Sequence, residues 1–142
     1  VLPDANARLI DSADLICFPP GSLFSSVIAN LLPSGVGKAV ADRHVPKVYV
    51  PSLGRDPECF GMTLPDQVGA LLAALRRDAG QVRPAQNLIS LVVSSHHVLT
   101  PDVVDGVARV HGLNCLALDL AQKERPDRYD PECLCQALLS MC

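Results

Sequence analysis

The stretch Asp14–Gly35, DLICFPPGSLFSSVIANLLPSG, decides the fold class of this 142-residue chain. Its apolar run Leu15–Phe18 predicts a short buried strand, which two prolines and a glycine end abruptly. Serines follow, and apolar residues then return at helical spacing, so a helix is predicted over Ser25–Leu32. A strand that passes through a stiff turn into a helix is typical of α/β proteins with parallel sheets.

The rest of the chain repeats this alternation. Continuous apolar runs rich in β-branched residues predict further strands at Lys47–Pro51, Leu88–Ser94 and Cys115–Leu120. Helical spacing and capping residues predict further helices at Val36–Arg43, Pro65–Arg77, Thr100–His111 and Asp130–Met141. We therefore expect one α/β domain over residues 1–142, in which a mainly parallel sheet is flanked by helices in a Rossmann-like three-layer sandwich.

Composition and charge narrow the classes of function. Hydrophobic residues make up 49% and charged residues 19%, a balance typical of a folded domain. The formal net charge of −3, with no basic cluster beyond Arg76–Arg77, argues against a nucleic-acid partner. No apolar run approaches the roughly 20 residues that cross a bilayer, and early charges interrupt any signal peptide. We therefore expect a cytoplasmic protein with no membrane partner.

The cysteines and histidines predict no structural metal. Without a secretory signal, reduced thiols are the default for the six cysteines. Cys133 and Cys135 are spaced one residue short of the usual zinc-knuckle pair, and no second ligand pair lies at a zinc spacing. His96 and His97 are adjacent, so on an extended chain they point to opposite sides and would not share one metal ion.

The turn after the first strand is the strongest candidate for a ligand site, because ligands of open parallel sheets collect at the carboxyl ends of the strands. Pro20 stiffens the turn, and Gly21 lets a ligand approach the backbone closely. Ser22, Ser25 and Ser26 add hydroxyl donors beside a helix N-terminus, which suits a phosphate. The alternative is an ordinary Pro-Gly turn in which Ser22 or Ser25 only caps the helix.

Polar residues also follow the other predicted strands at the same edge of the sheet. Arg55, Asp56 and Glu58 come after the second strand, where they could contact a phosphate, a metal ion or a hydroxyl. The alternative is a polar surface turn. Ser94 follows the third strand, and Asp119 lies near the end of the fourth as a further candidate.

The segment ADLICFPPGSLFSSVIANLLPSGVGKAV resembles the pattern A-D-hydrophobic-G-P-G-S-L-Y-T-S-hydrophobic-x-P-N-L-L. That pattern belongs to the family that includes 2-phospho-L-lactate transferase (CofD) and the YvcK-type proteins. The matching residues are Ala13, Asp14, Pro20, Gly21, Ser22, Leu23, Ser26, Asn30, Leu31 and Leu32. The similarity continues in KVYVPSLGRDPECFGMTLPDQVGALL and, more weakly, in LISLVVSSHHVLTPDVVDGVARVHGLNCLALDL. Pro19, Ser52 and Gln67 depart from the family pattern.

The resemblance implies a CofD-like fold and, for the intact protein, transfer of a phospholactyl-type group from a nucleoside diphosphate adduct to a hydroxyl acceptor, with Mg²⁺. It implies binding roles for Pro20, Gly21, Ser22, Ser25, Ser26, Asn30, Ser52 and Ser94. It implies catalytic roles for Arg55 and Glu58 on the acceptor or metal side. The alternative in the same family is a non-catalytic regulator that binds a nucleotide sugar.

The matched segments resemble the C-terminal part of such proteins, without the Gly-rich phosphate loop that opens the family's fold. We therefore expect this portion alone to be inactive. The partner implied by the resemblance is a nucleotide or nucleotide sugar, and a homo-oligomer is compatible with it.

Overall fold

The computed structural model describes the whole chain, Val1–Cys142, as alternating strands and helices. The strands are β1 (Ile16–Phe18), β2 (Lys47–Tyr49), β3 (Leu91–Ser95) and β4 (Asn114–Leu118). The α-helices are α1 (Asp4–Asp11), α2 (Val36–Asp42), α3 (Leu64–Ala79), α4 (Pro101–His111) and α5 (Pro131–Leu139). Short 3₁₀ turns lie at Ile28–Leu31, Pro57–Cys59 and Ala85–Asn87, and a π-helical turn spans Leu23–Val27.

The strands form one sheet in the order β1-β2-β3-β4, and every neighbouring pair is parallel. Ile16 pairs with Lys47, Val48 with Leu91, and Leu91 with Asn114. Each strand thus pairs with the next one along the chain, and a helical connection joins each pair. The predicted α/β fold with a mainly parallel sheet is confirmed.

The two faces of the sheet are covered by different helices. On β2, Tyr49 belongs to the larger core cluster together with Leu72 of α3, and that cluster also holds apolar residues of α2 and α4. Val48 belongs to the smaller cluster, against which Leu134 and Leu138 of α5 pack. Side chains of successive strand residues point to opposite faces, so both faces carry apolar residues. The result is a three-layer arrangement in which α5 is the main cover of the second face.

All four strands differ from their predicted bounds by one to three residues, and the differences in β3 and β4 have a clear cause. β3 begins at Leu91 instead of Leu88, because Ala85–Asn87 form a 3₁₀ turn that leads Leu88 and Ile89 into the core before the strand starts. β4 ends at Leu118, because the chain turns away from the sheet after it. The apolar run is longer than the strand in both places, since buried turn residues and strand residues need the same apolar character.

The ends of α3 and α4 follow from local sequence. The Thr63 hydroxyl accepts a hydrogen bond from the Asp66 amide at 3.2 Å, and the Asp66 carboxylate accepts one from the Thr63 amide at 2.9 Å. This reciprocal pair is a capping box. Gly112, with φ at 68°, ends α4 in the left-handed conformation, as its sequence position predicts. Thr100 precedes α4 but makes no side-chain cap.

The segment predicted as a helix over Ser25–Leu32 is helical but not α-helical, because a π-helical turn spans Leu23–Val27 and a 3₁₀ turn spans Ile28–Leu31. The amides of Val27 and Ile28 reach back to the carbonyls of Ser22 and Leu23, which makes the first turn wider than an α-helical one. Contacts from the segment after β2, described below, hold this wide turn. α1 was not predicted, because it buries no residue of its own and depends on contacts with α2.

α2 and α3 pack unusually closely. A Cβ atom added to Gly37 of α2 would lie well inside van der Waals contact of the Leu75 carbonyl oxygen and 3.1 Å from the Asp78 Cβ. The Asp78 carboxylate on α3 accepts hydrogen bonds from the amides of Gly35 and Lys38, at 3.0 and 2.8 Å. A side chain from α3 therefore caps the start of α2 while the glycine lets the two backbones approach.

No helix of the chain is long and apolar enough to cross a membrane by itself. The segments Leu23–Leu31 and Val36–Asp42, bent at 77°, reach the length and composition of a span only when taken together.

Candidate functional site

The segments that follow β1 and β2 meet at the carboxyl edge of the sheet. The Gly21 amide donates a hydrogen bond to the Ser52 hydroxyl at 3.2 Å, and that hydroxyl donates to the Gly21 carbonyl at 3.0 Å. Two residues that the sequence places in one binding site, although far apart along the chain, are thus in direct contact.

Two carboxylates from the second segment bind the backbone of the first. The Leu23 amide donates to Asp56 Oδ2 at 2.9 Å. The amides of Phe24 and Ser25 donate to Glu58 Oε2 at 3.2 and 3.1 Å. The N–H groups that were candidates for a phosphate are therefore engaged by the chain's own anions. The Ser22 amide has no hydrogen-bond partner within the chain.

These contacts lower the pKa of both carboxyl groups. Burial alone would raise the pKa of Asp56, but hydrogen bonds from the Leu23 amide, the Cys59 thiol and the Glu58 amide outweigh it. The pKa of Glu58 is lowered mainly by Ser25, through its side chain and its amide, and further by the Phe24 amide. Both groups are held in the anionic form in the folded state.

Because these pKa values are depressed, the contacts favour folding above the carboxyl groups' ordinary pKa of ~4 and lose that effect as the pH falls below it. We expect the thermal midpoint of the wild-type chain to fall more steeply below about pH 4 than that of Asp56→Asn. Thermal unfolding followed by circular dichroism across this range checks the difference. Asp105→Asn, at an exposed position of α4, is the control and should follow the wild type. Parallel curves for wild type and Asp56→Asn would contradict the expectation.

A cleft of about 540 Å³ opens beside these contacts. It is lined by Ser52, Gly54, Arg55, Asp56, Pro57, Cys59, Phe60, Gly61 and Gln67. Arg55 is exposed and takes part in neither of the two ion pairs of the chain. The Cys59 thiol is buried and donates to Asp56 at 3.2 Å, and burial is the main reason that its pKa rises to about 12. Cys59 is therefore a structural thiol and not a nucleophile.

The remaining predicted site residues lie in different surroundings. Ser26 and Asn30 are exposed, and the Asn30 side chain donates to the Ser26 carbonyl. Ser94 is fully buried, and its hydroxyl is hydrogen-bonded to the Tyr129 hydroxyl at 2.7 Å, which in turn donates to the Pro51 carbonyl. Ser94 thus supports the edge of the sheet without lining the cleft.

The structure also shows which residues could not be assigned from sequence. Neither Phe60 nor Tyr129 lies in a recognisable sequence motif. Phe60 lines the cleft, and Tyr129 is hydrogen-bonded to residues at the carboxyl edge of the sheet.

Asp119 lies in another groove, with Gln122 and Cys133. No group of three His, Cys, Asp or Glu side chains in the chain is placed to hold a metal ion. All six cysteines are free.

Comparison of the sequence with known protein families identifies the family of the chain. The sequence profile of the family described as 2-phospho-L-lactate transferase CofD matches residues 2–128 of the chain. The chain belongs to the CofD family. The match spans the turn after β1, the cleft and the whole sheet of this CofD-family chain.

Curated relatives carry a different description. A protein of Deinococcus radiodurans described as "Putative gluconeogenesis factor" is 32% identical over a 149-residue alignment that covers 98% of this chain and 31% of the relative. A relative of Aquifex aeolicus with the same description is 28% identical, over 98% of this chain and 44% of the relative. The "Gluconeogenesis factor" of Bacillus subtilis is 39% identical over 64 residues, 44% of this chain and 20% of the relative. The CofD-family chain therefore spans less than half the length of each.

A solved structure shows the same fold. The crystal structure of a UPF0052-family protein from Bacillus halodurans superposes on this chain with a TM-score of 0.72 and 19% sequence identity. The superposition covers 96% of this CofD-family chain and 46% of the other. At this identity the likeness establishes the fold alone.

Proposed function

We propose that the cleft and the turn after β1 bind the diphosphate of a nucleoside diphosphate ester, in a protein that transfers a phosphorus-containing group to a hydroxyl acceptor. Arg55 carries this proposal, because its guanidinium lines the cleft without an ion-pair partner in the chain. A guanidinium matches phosphate oxygens in charge and in geometry. Ser52 lines the same cleft and contacts Gly21, and we propose the free amide of the next residue, Ser22, as a further donor to the phosphate.

In the proposed transfer, the acceptor hydroxyl oxygen forms a new bond to the distal phosphorus. The bond from that phosphorus to the bridging oxygen breaks, and a nucleoside monophosphate leaves with the electron pair, while the hydroxyl proton passes to solvent. Catalysis of this kind depends mainly on positioning and on neutralising phosphate charge, which is the role we assign to Arg55. A carboxylate with a lowered pKa is a weak base, so we assign Glu58 to holding the turn.

Mg²⁺, which the family resemblance implies, does not find a ligand set among the side chains of this chain. Asp56 accepts hydrogen bonds at both carboxylate oxygens and Glu58 accepts them at Oε2, so both side chains already hold the turn after β1 and its own segment. The proposed transfer therefore assigns no step to Mg²⁺, and comparing ligand binding with Mg²⁺ and with EDTA measures its effect. A nucleotide ligand fits the cytoplasmic location that the sequence predicts, and free thiols are compatible with reducing conditions.

A second candidate is a non-catalytic regulator that binds a nucleotide sugar. One observation favours it: both carboxylates beside the cleft are bound to backbone amides and have lowered pKa values, which makes each of them a weak base. The curated relatives described as gluconeogenesis factors suit a regulatory role as well. Because the chain spans only part of these relatives, the activity and substrates of the whole protein are part of the proposal.

The test is binding of GDP, UDP-glucose and pyrophosphate to the chain, with Mg²⁺ and with EDTA, by thermal shift and calorimetry. A ligand at 100 times its dissociation constant should add about 2.7 kcal/mol to the free energy of unfolding. Arg55→Met should weaken binding about 10- to 100-fold, because it removes charge-assisted hydrogen bonds and keeps the apolar stem. Arg109→Met changes an exposed arginine of α4 and should bind as the wild type does.

The pattern of ligands separates the two candidates. Stabilisation by GDP that Arg55→Met loses favours the transferase, and stabilisation by UDP-glucose alone favours the regulator. If none of the three ligands stabilises the wild-type chain, or if Arg55→Met binds as tightly as Arg109→Met, the proposed site is wrong.

A further inference from the structure

Phe60 is the most exposed aromatic residue of the chain, with 95% of its surface open to solvent, and it lines the cleft. The chain has only three phenylalanines and no tryptophan, so large aromatic rings are scarce. A single exposed apolar side chain is ordinary on a protein surface. Phe60 differs because it stands at a concave site beside polar groups, which is the composition of a small-molecule pocket.

The local structure holds the Phe60 ring outward. Its predecessor Cys59 is buried and bonded to Asp56, which fixes the chain on one side. On the other side Gly61 has φ at +76°, and the capping box of Thr63 starts α3. Apart from its two chain neighbours, Gly61 has no atom within 4 Å of where a Cβ would lie, so open space adjoins the backbone of this turn. The ring is therefore displayed by a turn that is anchored at both ends.

Two polar side chains line the same cleft as this ring. Arg55 forms no ion pair, and Gln67 lines the cleft from α3. An apolar ring that shares a cleft with a guanidinium and an amide suits a ligand that is both planar and polar.

We infer that Phe60 is the stacking platform for the planar base of the nucleotide whose phosphates bind at Arg55. This inference rests on the proposed function and adds the position of the base within the same cleft. A base has a π-face for the Phe60 ring and polar edge groups for an amide such as Gln67. Stacking accepts any base, so Phe60 supplies affinity, and discrimination between bases falls to the polar side chains.

The absence of tryptophan makes a direct test available. Phe60→Trp places a single indole at the cleft, and Val82→Trp places one at an equally exposed position, also 95% exposed, in the loop after α3. We expect GDP to quench the emission of Phe60→Trp over the concentration range in which it stabilises the wild-type chain. The emission of Val82→Trp should not change, and pyrophosphate should quench neither variant, because it has no ring.

Phe60→Ala gives the second measurement. It should weaken GDP binding by about 5- to 100-fold, the usual range for losing one base–aromatic stack, and leave pyrophosphate binding unchanged. Phe60→Tyr keeps the ring and should retain the affinity for GDP. Since Phe60 is exposed, none of these variants removes a core contact.

Different results would overturn the stacking role of Phe60 and the phosphate site at Arg55. If pyrophosphate and GDP bind the wild-type chain but Phe60→Ala binds GDP equally well, the stacking role is overturned and the phosphate site stands. Quenching of both tryptophan variants would overturn it too. If GDP, UDP-glucose and pyrophosphate all fail to bind the wild-type chain, the proposed function itself is wrong, and the stacking role fails with it.

Discussion

Gly37→Ala is expected to lower the free energy of unfolding by about 3 kcal/mol, the upper part of the usual range for overpacking a tight interface. The added methyl group would overlap the Leu75 carbonyl oxygen, which belongs to the backbone of α3 and cannot rotate away. α2 would have to move off α3, and the Asp78 carboxylate would then lose its hydrogen bonds to the start of α2. The gain in helix propensity of about 1 kcal/mol from glycine to alanine is too small to offset this.

Chemical denaturation of the wild type and Gly37→Ala measures the difference, which corresponds to a thermal midpoint lower by roughly 10 °C. Gly106→Ala is the matched control, because it is the same substitution inside a helix, where the nearest atom to the new Cβ is Pro65 Cγ at an ordinary 3.4 Å. The control should be neutral or slightly stabilising. Equal stability of Gly37→Ala and the wild type would mean that α2 and α3 are not in such close contact.

Tyr129→Phe is expected to lower the free energy of unfolding by about 1–3 kcal/mol. The Tyr129 hydroxyl donates to the Pro51 carbonyl and bonds the buried Ser94 hydroxyl, so its removal leaves two buried polar groups without partners. Burial raises the pKa of Tyr129 to about 12, which keeps the hydroxyl protonated as a donor at neutral pH. This hydroxyl joins the loop before α5 to the ends of β2 and β3.

A double-mutant cycle with Ser94→Ala isolates the contact. Ser94→Ala alone should cost less than Tyr129→Phe, because it leaves the Tyr129–Pro51 hydrogen bond in place. In the Tyr129→Phe background, Ser94→Ala should cost little or be stabilising, since it then removes an unpaired hydroxyl. Additive effects of the two substitutions in urea unfolding would contradict the hydrogen bond between them.

Elements with a strong local pattern were predictable from sequence. α3 has a capping box and a continuous apolar stripe, and the apolar runs around Val48, Val92 and Leu116 fall in strands. The π-helical turn at Leu23–Val27 was not predictable, because its amides are held by Asp56 and Glu58, more than 30 residues away along the chain. A helical pattern cannot show which distant anions will bind its first amides.

The candidate site also has features that were predictable from the sequence and features that were not. The meeting of Gly21 with Ser52, and the position of Arg55 beside them, follow from the rule that parallel strands bring their carboxyl ends to one edge. The engagement of Ser94 by Tyr129 depends on how a long polar loop returns to the sheet, for which the sequence holds no periodic signal. Phe60 was not predicted as a site residue, because the exposure of its ring depends on how the turn around it folds, which the sequence does not show.

The pairing of each strand with its successor has a consequence for how the molecule assembles. Because each strand pairs with the next one along the chain, forming each strand pair closes a loop that contains only one helical connection. The entropy lost in closing such loops grows slowly with length and is distributed over separate, similar steps. We expect the sheet to form by successive addition of strand–helix units to a nucleus around β2, α3 and β3, which contains the most completely buried side chains, and the outer strands to join last.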